Sequence, residues 1–251
     1  MPDINTPEIF GLHPNAEISY FTNAAKGVWA NLLAMQTTSA QTASGVNREE
    51  YVGKVGQEIL SKLPNEFDVR ELRKKFGDKP SPTQIVLMQE LERFNILINT
   101  IGISLQNLQR ALMGEIGMSS NLDDLAFSLF NGFLPLMWRK LAPQTEKNLS
   151  NWIMHFEKRF AQYKAWNDND EPLVMWLSGL HIPESYLTAL VQTTCRAKGW
   201  ALDKSTLYTV VTKHTNPAQI TERLAHGCYI KGLYLEGARW DIKRNCLSRQ
   251  L

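Results

Sequence analysis

The sequence predicts a mainly α-helical protein with a β-rich C-terminal part: a multi-helix layer that includes one long helix, followed by an incomplete antiparallel sheet or partial β-barrel. Three observations predict this. Apolar residues recur at helical spacing over much of positions 16–170. Cap and stop signals bracket those stretches. After Gly199 the period changes to two, with β-branched and aromatic residues alternating. At 251 residues and 43% apolar, the polypeptide is long enough to bury a sizeable core.

In sequence order, positions 1–15 carry Pro2, Pro7, Gly11 and Pro14 without helical period, which predicts an extended connector continuing from something before it. Ile18, Phe21, Ala25, Val28, Trp29, Leu32 and Leu33 then recur at helical spacing, and a Ser/Thr/Ala-rich stretch up to Gly45 reads as a loop. Asn47 with Glu50 three residues on predicts a capped helix with Tyr51, Val52, Val55, Ile59, Leu60 and Leu63 on its face, ended by Pro64. Asp68 and Glu71 repeat the device for a short basic helix to Phe76. Ser81-Pro82-Thr83-Gln84 combines an N-cap serine, a proline whose missing N–H does no harm there, and a glutamine able to reach back. The long helix starts at this point. Its stripe is Ile85, Met88, Leu91, Ile98, Ile101, Leu105, Leu108, Leu112 and Ile116, roughly 35 positions or about 50 Å. Gly102 in its middle costs about 1 kcal/mol relative to alanine, which predicts a close helix crossing or a kink.

Ser120 with Asp123 and Asp124 predicts a capped short helix through Phe130, and Pro135 closes that unit. Thr145 opens a helix with Leu149, Trp152, Ile153, Phe156, Phe160, Tyr163 and Trp166 on one face, stopped by the polar run at 167–170. The apolar run 173–177 is compatible with strand or helix by period and is read as a strand. Pro183 starts a helix through Lys198, with Gly199 as its stop. Positions 206–212 and 228–235 read as strands, with a shorter one at 242–247. So few strands, apolar on both faces, leave open edges, so the sheet reads as unfinished and the polypeptide as part of something larger.

With 27 basic and 25 acidic residues the formal charge is +2, which points to no polyanion partner for the protein as a whole. From position 196 onward ten basic residues face four acidic ones. An acidic partner such as nucleic acid and a lysine-guarded strand edge both fit that asymmetry. The opening around Asp3, Asn5 and Glu8 is too polar for the core of a signal peptide, and a soluble intracellular protein is expected. Cys195, Cys228 and Cys246 match neither a disulfide framework nor a zinc pattern, and are expected as reduced, mostly buried thiols.

No residue is singled out as catalytic, cofactor-binding or metal-ligating. Gly53-Lys54 is followed by Val55, where a phosphate loop needs Ser or Thr, and falls in a helical pattern. His13, His155, His181, His214 and His226 show no paired spacing for a metal. Ser178, in Trp-Leu-Ser-Gly, lacks the first glycine of a nucleophile elbow, and Cys195 shares a helix face with Leu187, Leu190 and Val191. Trp29, Trp152 and Trp166 fall on apolar helical faces, where core packing or a protein interface explains them.

Several segments resemble one family. They are Phe10-Gly11-Leu12-His13-Pro14-Asn15-Ala16-Glu17-Ile18, Gln89-Glu90-Leu91-Glu92-Arg93-Phe94-Asn95, Leu108-Gln109-Arg110-Ala111-Leu112 with Gly114, and Phe130-Asn131-Gly132 with Pro135 and Trp138. They continue through Trp176-Leu177-Ser178-Gly179-Leu180, Pro183-Glu184-Ser185-Tyr186-Leu187 and Gly232-Leu233-Tyr234-Leu235-Glu236-Gly237-Ala238-Arg239-Trp240-Asp241. Together they resemble the C-terminal region of dynein heavy chains, the axonemal branch in particular. Only the stretches near 36–47 and 76–82 lack the likeness.

The resemblance implies a segment that follows the sixth AAA+ module of a minus-end-directed microtubule motor. It would comprise a connector over residues 1–15, a helical part over 16–170, and a mixed part over 171–251 whose β-barrel is truncated. It implies a structural and regulatory role against the AAA+ ring of the same heavy chain, in the cytoplasm and the axoneme of a cilium or flagellum. ATP and magnesium would bind in other modules and microtubules at a distant stalk tip, so this segment would carry no cofactor and no catalysis. Intermediate and light chains would be partners in the assembled complex; nucleic acid and membrane would not. The alternative is a free-standing helical module using its basic tail on nucleic acid.

Overall fold

One helix of 31 residues, Pro82–Leu112, organises the fold. The computed structural model describes residues 47–212, 214, 216–232, 238–241 and 246–249, together with helical positions 18, 21–23 and 25–29. In order the helices are α1 (Arg48–Lys62), α2 (Val69–Phe76), α3 (Pro82–Leu112), α4 (Ser120–Asn131), α5 (Leu136–Arg139), α6 (Leu149–Asp168) and, after a short strand β1 (Val174–Trp176), α7 (Pro183–Lys198). Three further short strands follow: β2 (Tyr229–Lys231), β3 (Ala238–Asp241) and β4 (Cys246–Arg249).

The start of α3 is fixed by a complete capping box. The Ser81 hydroxyl accepts from Gln84 N at 3.3 Å, and Gln84 Oε1 accepts from Ser81 N at 2.8 Å. From there α3 packs against each of α1, α2, α4, α5, α6 and α7. Leu87, Leu91, Leu97, Ile101, Leu105 and Leu108 are essentially fully buried along it. Removing such side chains from water supplies about 1.5–3 kcal/mol each, which holds a helix this long in one place. A row of rings lines its flank: Trp138 on Trp152 (6.1 Å), Trp152 on Phe156 (5.5 Å), Phe156 on Phe94 (4.8 Å) and Phe94 on Tyr163 (5.2 Å). Trp138 is completely buried, and its indole N–H donates to Ser104 Oγ at 3.0 Å.

Several boundaries differ from expectation for identifiable local reasons. The stripe on α3 is offset at both ends: Ile85 is exposed, and Ile116 lies past Met113, which closes the helix. The turn after it uses Gly114 at φ +77°, a conformation that stops helical winding. Ser119, not Ser120, caps α4 by accepting from Leu122 N. That helix is closed by Gly132 in the left-handed region, while Pro135 precedes the single turn α5. Asn148, not Thr145, caps α6; the Thr145 hydroxyl accepts from Lys147 N in the preceding loop. Glu50 pairs with Lys54 at 2.6 Å and does not reach back to the Asn47 cap. At Gly102 a Cβ would meet Leu63 Cδ2 at 3.4 Å, so the glycine marks the close crossing of the α1 end over α3, which runs unbroken there.

The β part departs most from the sequence reading. Positions 206–212 form no strand: Leu207, Tyr208, Val210 and Val211 are all exposed, so alternation by two buries neither face. Strand propensity needs a partner's ladder to become a strand. The segment 228–235 contributes only Tyr229–Lys231 before Gly232 turns at φ +83°, and it pairs in parallel with β1, Met175 opposite Ile230. The intervening helix α7 supplies the crossover that a parallel pair requires. β3 and β4 form a separate antiparallel pair, Trp240 opposite Leu247. The described strands are thus two distinct pairs, where one unfinished sheet or barrel was expected. The expected connector at 1–15 and the centre of the expected strand at 242–247 lie outside the described residues.

Candidate functional site

Glu90 is the centre of the most elaborate polar arrangement among the described residues. It sits on the inward face of α3, and its side chain is fully removed from solvent. Its Oε2 accepts from the Tyr163 hydroxyl at 2.6 Å and from His181 N at 2.5 Å; its Oε1 accepts from Ile182 N at 3.0 Å. One carboxylate therefore ties α3 to α6 and to the turn that launches α7. Ile182 is the N-cap position of α7 and offers no capping side chain, so a carboxylate distant in sequence takes up the free N–H there. Tyr163 also lies 3.3 Å from the Gly179 carbonyl.

Two guanidinium groups approach this carboxylate. Arg93 Nη1 stands 3.6 Å from Glu90 Oε1, an ion pair without hydrogen-bond geometry. Arg159, on α6 and only 8% exposed, has no carboxylate within ion-pair distance, and its Nε finds no acceptor among the described residues. Burial pushes the Tyr163 phenol well up, and Glu90 beside it does the same, so it remains a donor. His181 is pushed down, first by burial and then by Arg93 and Arg159 against the opposing pull of Glu90, which favours the neutral ring.

A second convergence surrounds Trp176 in β1. Gln162 clamps its backbone, accepting from Trp176 N at 2.9 Å and donating to Trp176 O at 3.2 Å. The Lys158 ammonium sits 4.5 Å from the indole centroid and His155 packs at 5.5 Å. Gly232 comes so close that a Cβ there would lie 2.6 Å from the indole Cδ1 and 2.8 Å from Ser178 Oγ. Tyr186 of α7 donates to the Glu171 carboxylate, and the Glu171 carbonyl accepts from Arg223.

These arrangements fix elements; they do not activate a nucleophile. Ser178 is exposed, with its Oγ beside Gly232. Cys195 is buried on α7, and the half-buried Cys228 thiol is pushed up by burial, which keeps it protonated. The side chain of Cys246 lies outside the described residues. Lys54 is exposed on α1 and paired with Glu50. Among the described residues no three of His, Cys, Asp or Glu gather as a metal site, and no helix is long and apolar enough to cross a membrane.

Sequence reasoning passed over Glu90, Arg159 and Tyr163 as a unit. A signal for it existed: Glu90 falls between Leu87, Leu91 and Phe94 on the apolar stripe of one helix, and Arg159 between Phe156 and Tyr163 on that of another. Charged residues facing inward on two packed amphipathic helices are expected to share one buried polar cluster. Several large apolar side chains are exposed. Ile18, Phe21, Val28 and Trp29 are 58–67% exposed, so Trp29 is not packed in the core. Ile85, Ile96 and Ile103 stand outward on α3.

Residues 22–251 match the family model for the C-terminal domain of the dynein heavy chain. The sequence is 56% identical over 249 residues to dynein axonemal heavy chain 10 of Homo sapiens, covering 99% of this protein and 6% of that one. It is 54% identical over 250 residues to the dynein-1-alpha heavy chain of the flagellar inner arm I1 complex of Chlamydomonas reinhardtii, covering 100% of this protein and 5% of that one. Identity to the dynein beta chain of the flagellar outer arm of the same alga is 38% over 246 residues, 97% of this protein and 5% of the relative. The sequence thus spans about one-twentieth of the length of the relatives it matches.

Proposed function

The chain belongs to the family of dynein heavy chains, matching their C-terminal domain, and on that premise we propose that it is the C-terminal structural and regulatory segment of an axonemal dynein heavy chain. It lies against the AAA+ ring of the same polypeptide and works in the axoneme of a cilium or flagellum. ATP hydrolysis, magnesium binding and microtubule contact belong to other parts of the motor, and no residue of this segment is catalytic. Residues 1–15 are a connector from the preceding module, 16–170 the helical part, and 171–251 the mixed part of helix and short strands. Intermediate and light chains assemble with the same motor.

The observation that carries this reading is the open apolar surface. Ile18, Val28 and Trp29 on one helical stretch, and Tyr208 and Val210 on an extended one, expose large apolar side chains that are costly to leave in water. A ring face of the same heavy chain is the natural cover. The mechanical role assigned to the segment is stiffening, supported by α3, a helix about 46 Å long at 1.5 Å per residue that packs against six others.

The test uses the intact heavy chain with Val28→Asp and Trp29→Asp together. Reduced microtubule gliding velocity, with nucleotide binding in the ring unchanged, is expected. Unaltered velocity and ATP turnover would remove the docking role. A nucleic-acid module using the basic tail would instead show binding that weakens steeply with salt.

A further inference from the structure

The β-prone run 206–212 is left without partners among the described residues. It departs from the turn at Leu202–Lys204 through Ser205 in extended backbone, φ −107° and ψ 137°. None of its backbone N–H or C=O groups makes a backbone hydrogen bond among the described residues. Neither side-chain face is covered: Tyr208 is 90% and Val210 74% exposed on one, and Leu207 and Val211 are exposed on the other. We propose that 206–212 is a self-association strand, pairing antiparallel with the same run of a second copy of this protein across a two-fold axis at Thr209. The inference does not rest on the family reading, because a surface laid on one face of such a strand would leave its hydrogen-bonding edges open.

What selects a second copy as the occupant is the self-complementarity of the run about Thr209. In that register Thr206 lies opposite the partner's Thr212, Leu207 opposite the partner's Val211, Tyr208 opposite the partner's Val210, and Thr209 opposite itself. Every pair is then of like kind: hydroxyl on hydroxyl, aliphatic on aliphatic, ring on β-branched. A slip of one residue sets Thr209 against Tyr208 and Thr206 against Val211, mixing hydroxyl with apolar. A slip of two brings Lys213 opposite Leu207, or Lys204 opposite Thr212. No charge, proline or glycine occurs from 206 to 212, which is the composition that pairs strand to strand. The pairing supplies about six to eight interstrand hydrogen bonds. Because a two-fold interface uses the same patch of both copies, association closes at the dimer. A two-stranded ribbon is marginal on its own, so the dimer depends on concentration.

Sedimentation equilibrium of the full 251-residue protein, over about 5–200 µM, should show monomer passing to dimer. Thr209→Pro withdraws an N–H from the centre of the ladder and should weaken association about tenfold or more. Because 206–212 makes no backbone hydrogen bond within the chain among the described residues, that variant should keep the thermal melt of the dilute parent protein, which separates lost pairing from lost folding. Register is read with Thr206→Cys, Thr209→Cys and Thr212→Cys, each treated with oxidised glutathione as the two-electron acceptor, and covalent dimer is counted above that of the unaltered protein. Only Thr209→Cys should form it: its Cβ atoms would stand about 5 Å apart across the axis, whereas the two copies of position 206 would lie about 20 Å apart. Monomer at every concentration, growth beyond the dimer, unchanged association of Thr209→Pro, or equal cross-linking at the three positions would each overturn the proposal.

Discussion

Replacing Glu90 by glutamine preserves its shape and removes its charge. The carboxylate accepts three hydrogen bonds on two oxygens, at 2.6, 2.5 and 3.0 Å. An amide keeps one acceptor oxygen, and its NH2 must then face donors, Ile182 N–H and Arg93 in one orientation or Tyr163 and His181 N–H in the other. At least one part-buried backbone N–H loses its partner, and the two guanidiniums lose the one carboxylate that lines their cavity. Removing one member of a buried ionic network costs about 3–5 kcal/mol, which at about 2–4 °C per kcal/mol for a domain of this size lowers Tm by roughly 6–20 °C. Glu92, two residues along α3, is the internal control. Its pair with Arg73 at 3.3 Å is at least half exposed on both sides, so Glu92→Gln should cost no more than about 1 kcal/mol. Urea unfolding followed by tryptophan fluorescence measures both. Equal losses for the two variants, or a Glu90→Gln loss under about 1 kcal/mol, would refute the assignment of Glu90 as the junction of three elements.

Other outcomes follow from neighbouring geometry. Gly232→Ala combines a backbone at φ +83° with a Cβ driven into Trp176, and should cost about 2–4 kcal/mol; Gly114→Ala, at φ +77° with open space around it, should cost only about 1 kcal/mol. Equal losses in denaturant titrations would show that the Trp176 contact yields freely. Trp138→Phe removes the 3.0 Å bond to Ser104 and part of a fully buried ring, for an expected loss of about 2–3 kcal/mol. A double-mutant cycle with Ser104→Ala should return a coupling energy of about 1 kcal/mol, and zero coupling would discount the bond. Acidification should also destabilise the fold through His181, which faces Glu90, Arg93 and Arg159. Its folded pKa lies below the unfolded value of 6.5, so the folded protein holds fewer protons. The stabilisation is complete above that value and lost as pH falls through it. His181→Asn should flatten the decline in Tm between about pH 7 and pH 5; an unchanged slope would exclude His181 as a cause.

Most helices were legible because their signals are local. Ser81 and Gln84 close a capping box within four residues, and Pro183 and Gly199 bracket α7 from its own sequence. Where caps compete over a few positions, as at Ser119 and Ser120 or Thr145 and Asn148, geometry chose, because only one residue of each pair can leave the helical conformation at the right place. The likeness of segments 89–95, 176–180 and 183–187 to one family was also visible in the letters alone.

Their meeting was not. Glu90 reaches His181 and Ile182 across more than ninety positions, and Asn95 exchanges two 2.8 Å bonds with the Phe67 backbone, contacts that no periodicity announces. Strand identity failed for the same reason. A helix satisfies its hydrogen bonds within its own segment, so sequence alone decided most of α1 to α7 to within a few residues. A strand satisfies them with a partner, so only the tertiary structure decided that β2 joins β1 in parallel, and that the β-prone run at 206–212 stays unpaired among the described residues.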